Sequence, residues 1–230
     1  MDEAGETRLG VDATPHYRLS LISAFAVALR EKHVAMCQTL EEKHLDQAIE
    51  QQLEGVPWLS PFLTSSPEAM CSFVEMADVR SDDVVLDVGC GDGRVLVTMA
   101  KILGCRGIGI DISEACITSA QDISRTEGVS ELISWHCADA TRPGVLEELG
   151  LAATTVVFLY VYPTLLAQLE ELLCRLRRRG ARVFTLQYHI AAAGEEWEAS
   201  RSCDNEPSKR LYSALPPPSS VQKSKPCETV

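Results

Sequence analysis

The chain has 230 residues, of which 46% are hydrophobic and 23% charged, and its formal net charge is −12. This composition is typical of a soluble globular protein with one sizeable core. A chain with this much negative charge would be repelled by phosphate backbones, and we therefore predict no nucleic-acid partner. The nine cysteines are scattered without a C-x-x-C pair, so we predict no metal or redox site and expect a reducing compartment.

The N-terminal region predicts helices and no membrane span. The apolar run from Leu19 to Leu29 is too short to cross a bilayer. An amphipathic pattern runs from about Ser20 to Glu54 and ends at Gly55, which predicts a helical extension over residues 1–55. Its first ten residues carry three acids and one arginine, unlike a mitochondrial presequence, so we expect a cytoplasmic location.

The next region, residues 56–70, is rich in proline and hydroxyl residues and ends in a helix signal. Ser66 is placed to cap a helix that has Pro67 in its first turn, and this helix should run through Met76. It should lead directly into the first strand of the core domain, which we place at residues 56–215.

The most informative motif lies at residues 84–94. An apolar strand ends at Asp87, and a glycine turn then leads into a helical pattern. Such a turn lets a ligand approach the backbone closely, while the next helix offers free N–H groups. A dinucleotide site would need a glycine three positions after Gly91, where this chain has Arg94, so NAD and FAD are disfavoured. The glycines of the turn are Gly89, Gly91 and Gly93.

Two further acids follow predicted strands. Asp111 closes the strand at residues 107–111, about twenty residues after the glycines, where an acid of a βαβ unit contacts a ribose. Asp139 follows a short strand that begins at Ile133. An acid at a strand end can also cap the next helix, and a glycine can merely turn the chain, so each residue alone leaves both readings open.

The remaining elements complete an alternation of strands and helices. Residues 155–160 predict a fourth strand, residues 165–176 a helix that Gly180 stops, and residues 182–188 a fifth strand. This order implies a doubly wound, mostly parallel α/β sheet. Residues 209–215 predict a last edge strand, which leaves six or seven strands open, and residues 216–230 have the composition of a disordered tail.

From about residue 61 to residue 190, these motifs in this order resemble the class I, seven-stranded S-adenosylmethionine-dependent methyltransferases. The resemblance implies a Rossmann-like methyltransferase fold and S-adenosylmethionine as the cofactor. It implies that the glycine turn lines the methionine end, that Asp111 binds the ribose hydroxyls, and that Ile112 and Asp139 contact the adenine. The cofactor-binding residues assigned in this way are Asp87, Gly89, Cys90, Gly91, Gly93, Asp111, Ile112, Asp139 and Ala140.

A smaller group resembles the chain more closely: the protein-lysine methyltransferases of the adenine nucleotide translocase and the ATP synthase c-subunit. The resemblance includes the proline-and-hydroxyl segment, residues 89–94, and residues 157–160 with Pro163. Members of that group carry a hydrophobic targeting segment that this sequence lacks. Substrate identity therefore does not transfer, and a mitochondrial location is an alternative by analogy only.

The acceptor site is expected at the end of the fourth strand, because ligands bind beyond the carboxyl ends of parallel strands. Tyr160 and Tyr162 lie there, and we predict that they are catalytic, with Tyr160 the stronger candidate. Aromatic faces hold alkylammonium groups, and a phenolic oxygen can orient a neutral amine. The alternative is that both rings only pack at the strand end.

The sequence therefore favours an S-adenosylmethionine-dependent N-methyltransferase whose substrate is a protein lysine. The Asn-Pro-Pro-aromatic signature of amide and base methyltransferases is missing after the fourth strand. Two alternatives stay open: a small-molecule methyltransferase, and a non-catalytic scaffold that binds the cofactor. The oligomeric state stays open as well.

Overall fold

The computed structural model describes residues 14–35, 38–40, 42, 63–189, 198–203 and 206–214. Seven strands form one sheet, and they are β1 (Val84–Val88), β2 (Arg106–Asp111), β3 (Ile133–Cys137), β4 (Val156–Leu159), β5 (Arg182–Leu186), β6 (Glu198–Cys203) and β7 (Glu206–Ala214). The α-helices are α1 (Pro15–Lys32), α2 (Pro67–Ala77), α3 (Arg94–Leu103), α4 (Glu114–Thr126), α5 (Val145–Glu148) and α6 (Pro163–Arg178).

The sheet confirms the predicted doubly wound topology. Its strand order is β3-β2-β1-β4-β5-β7-β6, and the pairs among β1 to β5 are all parallel. From β1 the chain winds towards β2 and β3, and from β4 it winds in the opposite direction, towards β5. The crevice between β1 and β4 is therefore the topological switch point, where such folds bind ligands.

The far side of the sheet differs from the sequence prediction. The predicted edge strand is β7, which pairs antiparallel with β5 on one side and with β6 on the other, so it lies inside the sheet. The edge strand is β6, Glu198–Cys203, which the sequence analysis missed. Its residues alternate little between apolar and polar, as is common for an edge strand that has no buried partner on one side. The described part of the sheet thus has seven strands.

Two apolar layers cover the sheet because successive strand side chains point to opposite faces. Val85 and Phe158 join the core that includes residues of α1, α2 and α3, whereas Leu86 and Leu159 join the core beneath α6. Asp87 is two residues after Val85 and therefore lies on the α2 face, directly opposite Phe158 in the register with β4.

Helix α2 starts as predicted and anchors the first apolar layer. The Ser66 hydroxyl oxygen accepts a hydrogen bond from the Ala69 amide at 3.2 Å, with Pro67 in the first turn. Phe73 of α2 is fully buried, and its ring centroid lies 4.7 Å from that of Phe158. This packing fixes α2 and the segment before it over the carboxyl end of β4.

Helix α1 packs on the same layer, and it begins at Pro15 rather than near Ser20. Its buried residues are Ile22, Ala26 and Leu29. The domain boundaries stay a prediction, because the second half of the predicted extension, with Leu45, Ile49 and Leu53, lies outside the described residues, as does the 216–230 tail. Within the described ranges, no helix is long and apolar enough to cross a membrane.

Candidate active site

The glycine turn is fixed to the end of β2 by backbone hydrogen bonds. The Gly89 and Cys90 amides both donate to the Ile110 carbonyl oxygen, at 2.8 and 3.1 Å. Gly89 has φ +76°, and a Cβ built there would lie 2.8 Å from Val161 Cγ1. A side chain is therefore excluded from this position both by conformation and by space.

The position that would hold the third glycine of a dinucleotide site has a different role here. Arg94 is buried at the start of α3, and its Nε donates to Asp92 Oδ1 at 2.9 Å. The Arg94 amide also donates to that oxygen, so Asp92 lies at the positive end of the helix as well. This buried ion pair was not predicted from the sequence.

Asp111 lies at the carboxyl end of β2 and supports two loops. Its Oδ2 accepts from the Gly91 amide at 2.9 Å, and its Oδ1 accepts from the Ser113 amide, also at 2.9 Å. A carboxylate offers about four lone-pair positions, and two of those of Asp111 accept these amides. The predicted ribose ligand is therefore also the link between the glycine turn and the start of α4.

Asp87 shows which ligand charge the cleft favours. Burial, followed by repulsion from Asp111 and Asp92, raises the pKa of Asp87 to about 8. A cationic ligand would relieve this repulsion, whereas a pyrophosphate would add to it. The positive sulfonium and ammonium groups of S-adenosylmethionine fit this cluster of carboxylates, and a dinucleotide does not.

The residues predicted to contact adenine lie farther along the same edge. Ile112 is 69% exposed, so its side chain is available at the rim beside Asp111. Asp139 is exposed, and its Oδ1 accepts from both the amide and the hydroxyl of Thr141, at 2.9 and 2.7 Å. Ala140 is buried and packs in the α6-side core. An exposed acid that orders its own loop fits a ligand-binding edge, although this geometry alone would also suit a turn.

The two predicted tyrosines have different surroundings. Tyr160 lies directly after β4, and its hydroxyl donates to Gln187 Oε1 at 3.0 Å. Tyr162 is 37% exposed, and its ring makes an edge contact with Tyr188 at 5.6 Å between centroids. Tyr160 is therefore held at the cleft, and Tyr162 lies outside it.

One cleft, at the carboxyl ends of β1 and β4, is lined by five of the eleven predicted site residues. Three of its lining residues, Leu63, Thr64 and Ser65, precede α2, and the sequence analysis gave them no role. The predicted residues that line the cleft are Asp87, Gly89, Cys90, Gly91 and Tyr160.

The Cys90 thiol is not a nucleophile in this cleft. Burial, with Asp87 and Asp111 nearby, raises its pKa well above the ordinary value, so the thiol stays neutral. No group of three or more His, Cys, Asp or Glu side chains among the described residues is arranged to hold a metal ion.

Comparison with known proteins agrees with this geometry. The family model of the ANTKMT methyltransferase domain matches residues 87–197. A protein-lysine N-methyltransferase of Saccharolobus islandicus is 27% identical over 131 residues, which cover 56% of this chain and 78% of that protein. A 2-phytyl-1,4-naphtoquinone methyltransferase of Synechococcus elongatus is 32% identical over 121 residues, which cover half of each chain.

A solved structure extends the agreement to the fold. It is the RNA methyltransferase of Salinibacter ruber in complex with S-adenosyl-L-homocysteine. Its TM-score is 0.56 at 26% sequence identity, and the match covers 68% of this chain and 95% of that chain.

The fold, the acidic glycine-turn cleft and these relatives identify the chain as a class I S-adenosylmethionine-dependent methyltransferase. Its cofactor is S-adenosylmethionine, as the sequence predicted. Within that class, the match to the ANTKMT domain model covers β2 through β5 and agrees with the subgroup that the sequence resembles.

Proposed function

We propose that this methyltransferase modifies the side-chain amine of a protein lysine. The observation that carries the proposal is a contact inside the chain itself. The Lys209 ammonium nitrogen lies 5.8 Å from the centroid of the Tyr160 ring, at the end of β4. The Tyr160 ring therefore already holds one alkylammonium group, and we propose that a substrate lysine takes the place of Lys209 or lies on the other face.

Two further observations support a lysine acceptor. The formal net charge of −12 would attract a basic substrate. The Saccharolobus islandicus relative is named a protein-lysine N-methyltransferase, although the Synechococcus elongatus relative is named for a small quinone. These names disagree on substrate class, so the contact at Tyr160 is what favours lysine.

The chemistry requires little beyond alignment and exclusion of water. The cofactor supplies a methyl group activated by its sulfonium, and the acceptor nitrogen attacks it in line. A lysine amine, whose ordinary pKa is about 10.4, must lose its proton to expose the attacking lone pair. The Tyr160 ring can hold the charged amine before it loses its proton, and the attack on the methyl group follows from the neutral amine.

Transfer of a labelled methyl group into a lysine-containing protein extract tests the proposal. We expect label on lysine, and Tyr160→Phe should lower the rate about threefold to tenfold, because it removes one hydrogen bond at the acceptor. Tyr17→Phe is the matched control, since Tyr17 is 49% exposed on α1. Label in a metabolite but in no protein would indicate a small-molecule enzyme. Cofactor binding with no labelled product would indicate a scaffold.

The cofactor-contact residues are part of the proposal. Along the carboxyl edge, Asp139, Asp111, the glycine turn and Tyr160 follow β3, β2, β1 and β4, which is their spatial order. Neighbouring strands lie about 4.8 Å apart. An extended cofactor placed along this edge would have its adenine near Asp139, its ribose near Asp111 and its methionine at the glycine turn. The acceptor would then bind at Tyr160.

Asp111→Ala tests this placement. We expect the affinity for S-adenosylhomocysteine to fall about tenfold to a hundredfold in calorimetry, because charge-assisted hydrogen bonds are lost. Asp122→Ala on α4 is the control, since the Asp122 side chain is 59% exposed. Asp111→Asn keeps one acceptor oxygen but turns an NH2 group towards either the Gly91 or the Ser113 amide, so the unfolding free energy of both variants is measured beside the affinity to separate ligand contact from loop support. Unchanged affinity in both Asp111 variants would contradict the ribose assignment.

A further inference from the structure

We infer that Lys209 is itself a methyl acceptor, modified by the site of its own chain, an inference that rests on the proposed methylation of lysine. Lys209 lies in the first half of β7, where the sequence predicted only a strand. Its ammonium nitrogen is 5.8 Å from the centroid of the Tyr160 ring, within the range of about 6 Å at which a ring face attracts a cation. Tyr160 lines the same cleft as Asp87 and the glycine turn, so the Lys209 ammonium lies at the expected acceptor position.

The direction of β7 brings Lys209 to the carboxyl edge of the sheet. Because β7 is antiparallel to β5, the residues that begin β7 lie beside the end of β5, and Leu211 pairs with Leu186. The next contact is made by Gln187, whose φ is +70° and whose amide donates to the Arg210 carbonyl oxygen at 2.6 Å. Lys209 precedes Arg210 and therefore lies beyond the last paired residue of β5, at the edge where ligands bind.

Lys209 also lies on the face of the sheet that carries the cleft. Side chains two positions apart on a strand share a face, and Leu211 belongs to the apolar layer that includes residues of α1, α2 and α3. Tyr160 packs against the same layer, and Asp87 lies on this face as well. The three polar side chains of Lys209, Tyr160 and Asp87 therefore share one edge and one face.

The remaining path from Lys209 to the glycine turn is short. Tyr160 follows β4 and the glycine turn follows β1, and these strands are neighbours. Neighbouring strands lie about 4.8 Å apart, so the ring that holds the ammonium is about one strand spacing from the turn proposed to hold the methionine end. A lysine side chain is a flexible four-carbon stem, so rotation about its bonds can bring the nitrogen to the distance of about 3–3.5 Å that attack requires.

The transfer needs no reactant beyond the cofactor. The Lys209 ammonium loses a proton to water, and the freed lone pair forms a bond to the methyl carbon while the bond from that carbon to sulfur breaks. The products are methylated Lys209 and S-adenosylhomocysteine. Because methylation keeps the positive charge of lysine, the modified side chain can return to the ring face.

Mass spectrometry of the purified protein after incubation with S-adenosylmethionine alone tests the inference. We expect methyl groups on Lys209 and none on Lys101, the matched control. Lys101 lies in the last turn of α3, which leads away from the glycine turn, and its Nζ donates to the Glu127 carbonyl oxygen at 2.7 Å. Lys209→Arg should reduce methylation of the chain at least tenfold, whereas Lys101→Arg should leave it unchanged.

The dependence on protein concentration shows which chain supplies the lysine. Transfer within one chain is first order, so the rate of Lys209 methylation per molecule should not change on dilution. A rate per molecule that falls in proportion to the protein concentration would indicate transfer between two molecules and would overturn the inference. Equal methylation of Lys209 and Lys101 would overturn it too, because it would show that the contact with Tyr160 selects no lysine.

A second measurement does not depend on activity. Reductive methylation with ¹³C-formaldehyde labels lysines without the cofactor, and the Lys209 methyl resonance is assigned by its loss in Lys209→Arg. This resonance should lie upfield of that of Lys101 because of the Tyr160 ring current, and Tyr160→Leu should remove the difference. S-adenosylhomocysteine should move the Lys209 resonance and leave that of Lys101 in place. A Lys209 resonance that neither the ring nor the ligand affects would overturn the inference.

The two proposals fail in different ways. Label on lysines of a protein extract with none on Lys209 would overturn this inference and leave the proposed function intact. Label on Lys209 with none in the extract would support the inference and contradict methylation of another protein. Label on neither would overturn both.

Discussion

At the scale of single residues, the site is defined by carboxylates whose environments differ. The carboxylate oxygens of Asp111 accept hydrogen bonds from two backbone amides, so its negative charge is stabilised by the fold. Asp87 is buried in β1, and burial, together with the neighbouring acids Asp111 and Asp92, raises its pKa. The carboxylate of Asp111 therefore supports the glycine turn, whereas the carboxylate of Asp87 responds to the charge of the ligand.

The raised pKa of Asp87, about 8, predicts pH-dependent cofactor binding. Below that pH the ligand-free protein holds Asp87 mostly protonated, and a cationic ligand favours the ionised form. The affinity for S-adenosylmethionine should therefore rise with pH, by up to about tenfold per unit below the pKa. Binding near neutral pH should release a proton, which calorimetry in buffers of different ionisation enthalpy measures.

Asp87→Asn is the control for that linkage, because an amide cannot titrate. It should remove the proton release while the overall fold persists. Wild-type binding with no proton release at neutral pH would contradict the assignment of the titration to Asp87.

Local patterns predicted the residues that form the glycine turn, because spacing along the chain is enough to place Gly89, Gly91 and Asp111 together. They did not predict Gln187, Tyr188 or Lys209. Gln187 and Lys209 meet Tyr160, and Tyr188 meets Gln187, only through the pairing of β5 with β4 and β7, and that register depends on tertiary packing. Arg94 was predicted only as a departure from a glycine, and its pairing with Asp92 needed the structure.

At the scale of elements, the strands that carry the site were predictable, while the periphery was less so. β4 is a continuous apolar run, and β1 and β2 are mostly apolar or glycine with an acid near the carboxyl end, which is typical of parallel strands buried on both faces. β6 has no such pattern, and α1 begins five residues before the predicted start at Ser20. Element boundaries at the surface depend on caps and partners that a hydrophobic pattern does not contain.

Helix α3 offers a matched test of how closely elements pack at the site. It lies between two glycines of similar conformation, Gly93 with φ +76° and Gly104 with φ +72°. A Cβ at Gly93 would lie 2.4 Å from Trp135 Cη2, whereas a Cβ at Gly104 would meet nothing within 4 Å. The Trp135 ring is held in turn by its Nε1, which donates to Ser124 Oγ at 3.3 Å.

Gly104→Ala should therefore cost about 1–2 kcal/mol of unfolding free energy, from the left-handed conformation alone. Gly93→Ala should cost about 3 kcal/mol or more, because the clash with Trp135 adds to the same conformational cost. Urea denaturation measures both values. Equal losses in the two variants would show that β3 yields to the new methyl group and that the contact with Trp135 is not restrictive.

At the scale of the whole molecule, the two edges of the parallel sheet have different tasks. The carboxyl edge holds the acidic cleft and the restricted Gln187. The opposite edge is joined by polar contacts around Asp83, whose Oδ1 accepts from Thr155 Oγ1 at 2.6 Å and from Arg182 at 2.5 Å. Arg182 also donates to the Ala77 carbonyl oxygen, so it links α2 to the carboxylate that joins the starts of β1, β4 and β5.

This junction predicts acid sensitivity of the whole fold. Burial alone would raise the pKa of Asp83, but hydrogen bonds from Thr155, Arg80 and Arg182 outweigh it and lower the pKa. A lowered folded-state pKa contributes stability above the ordinary aspartate pKa of about 3.9, and this contribution is lost as the pH falls through the folded-state value.

Asp83→Asn should reduce the unfolding free energy at neutral pH by about 2 kcal/mol, and the difference from wild type should shrink in acid. The control is Asp78→Asn, because Asp78 pairs with Arg80 on the surface with both side chains 67% exposed, and asparagine tolerates its left-handed backbone. Denaturant unfolding of the three proteins across acidic and neutral pH gives the comparison, and an Asp83→Asn protein as stable as wild type at neutral pH would contradict it.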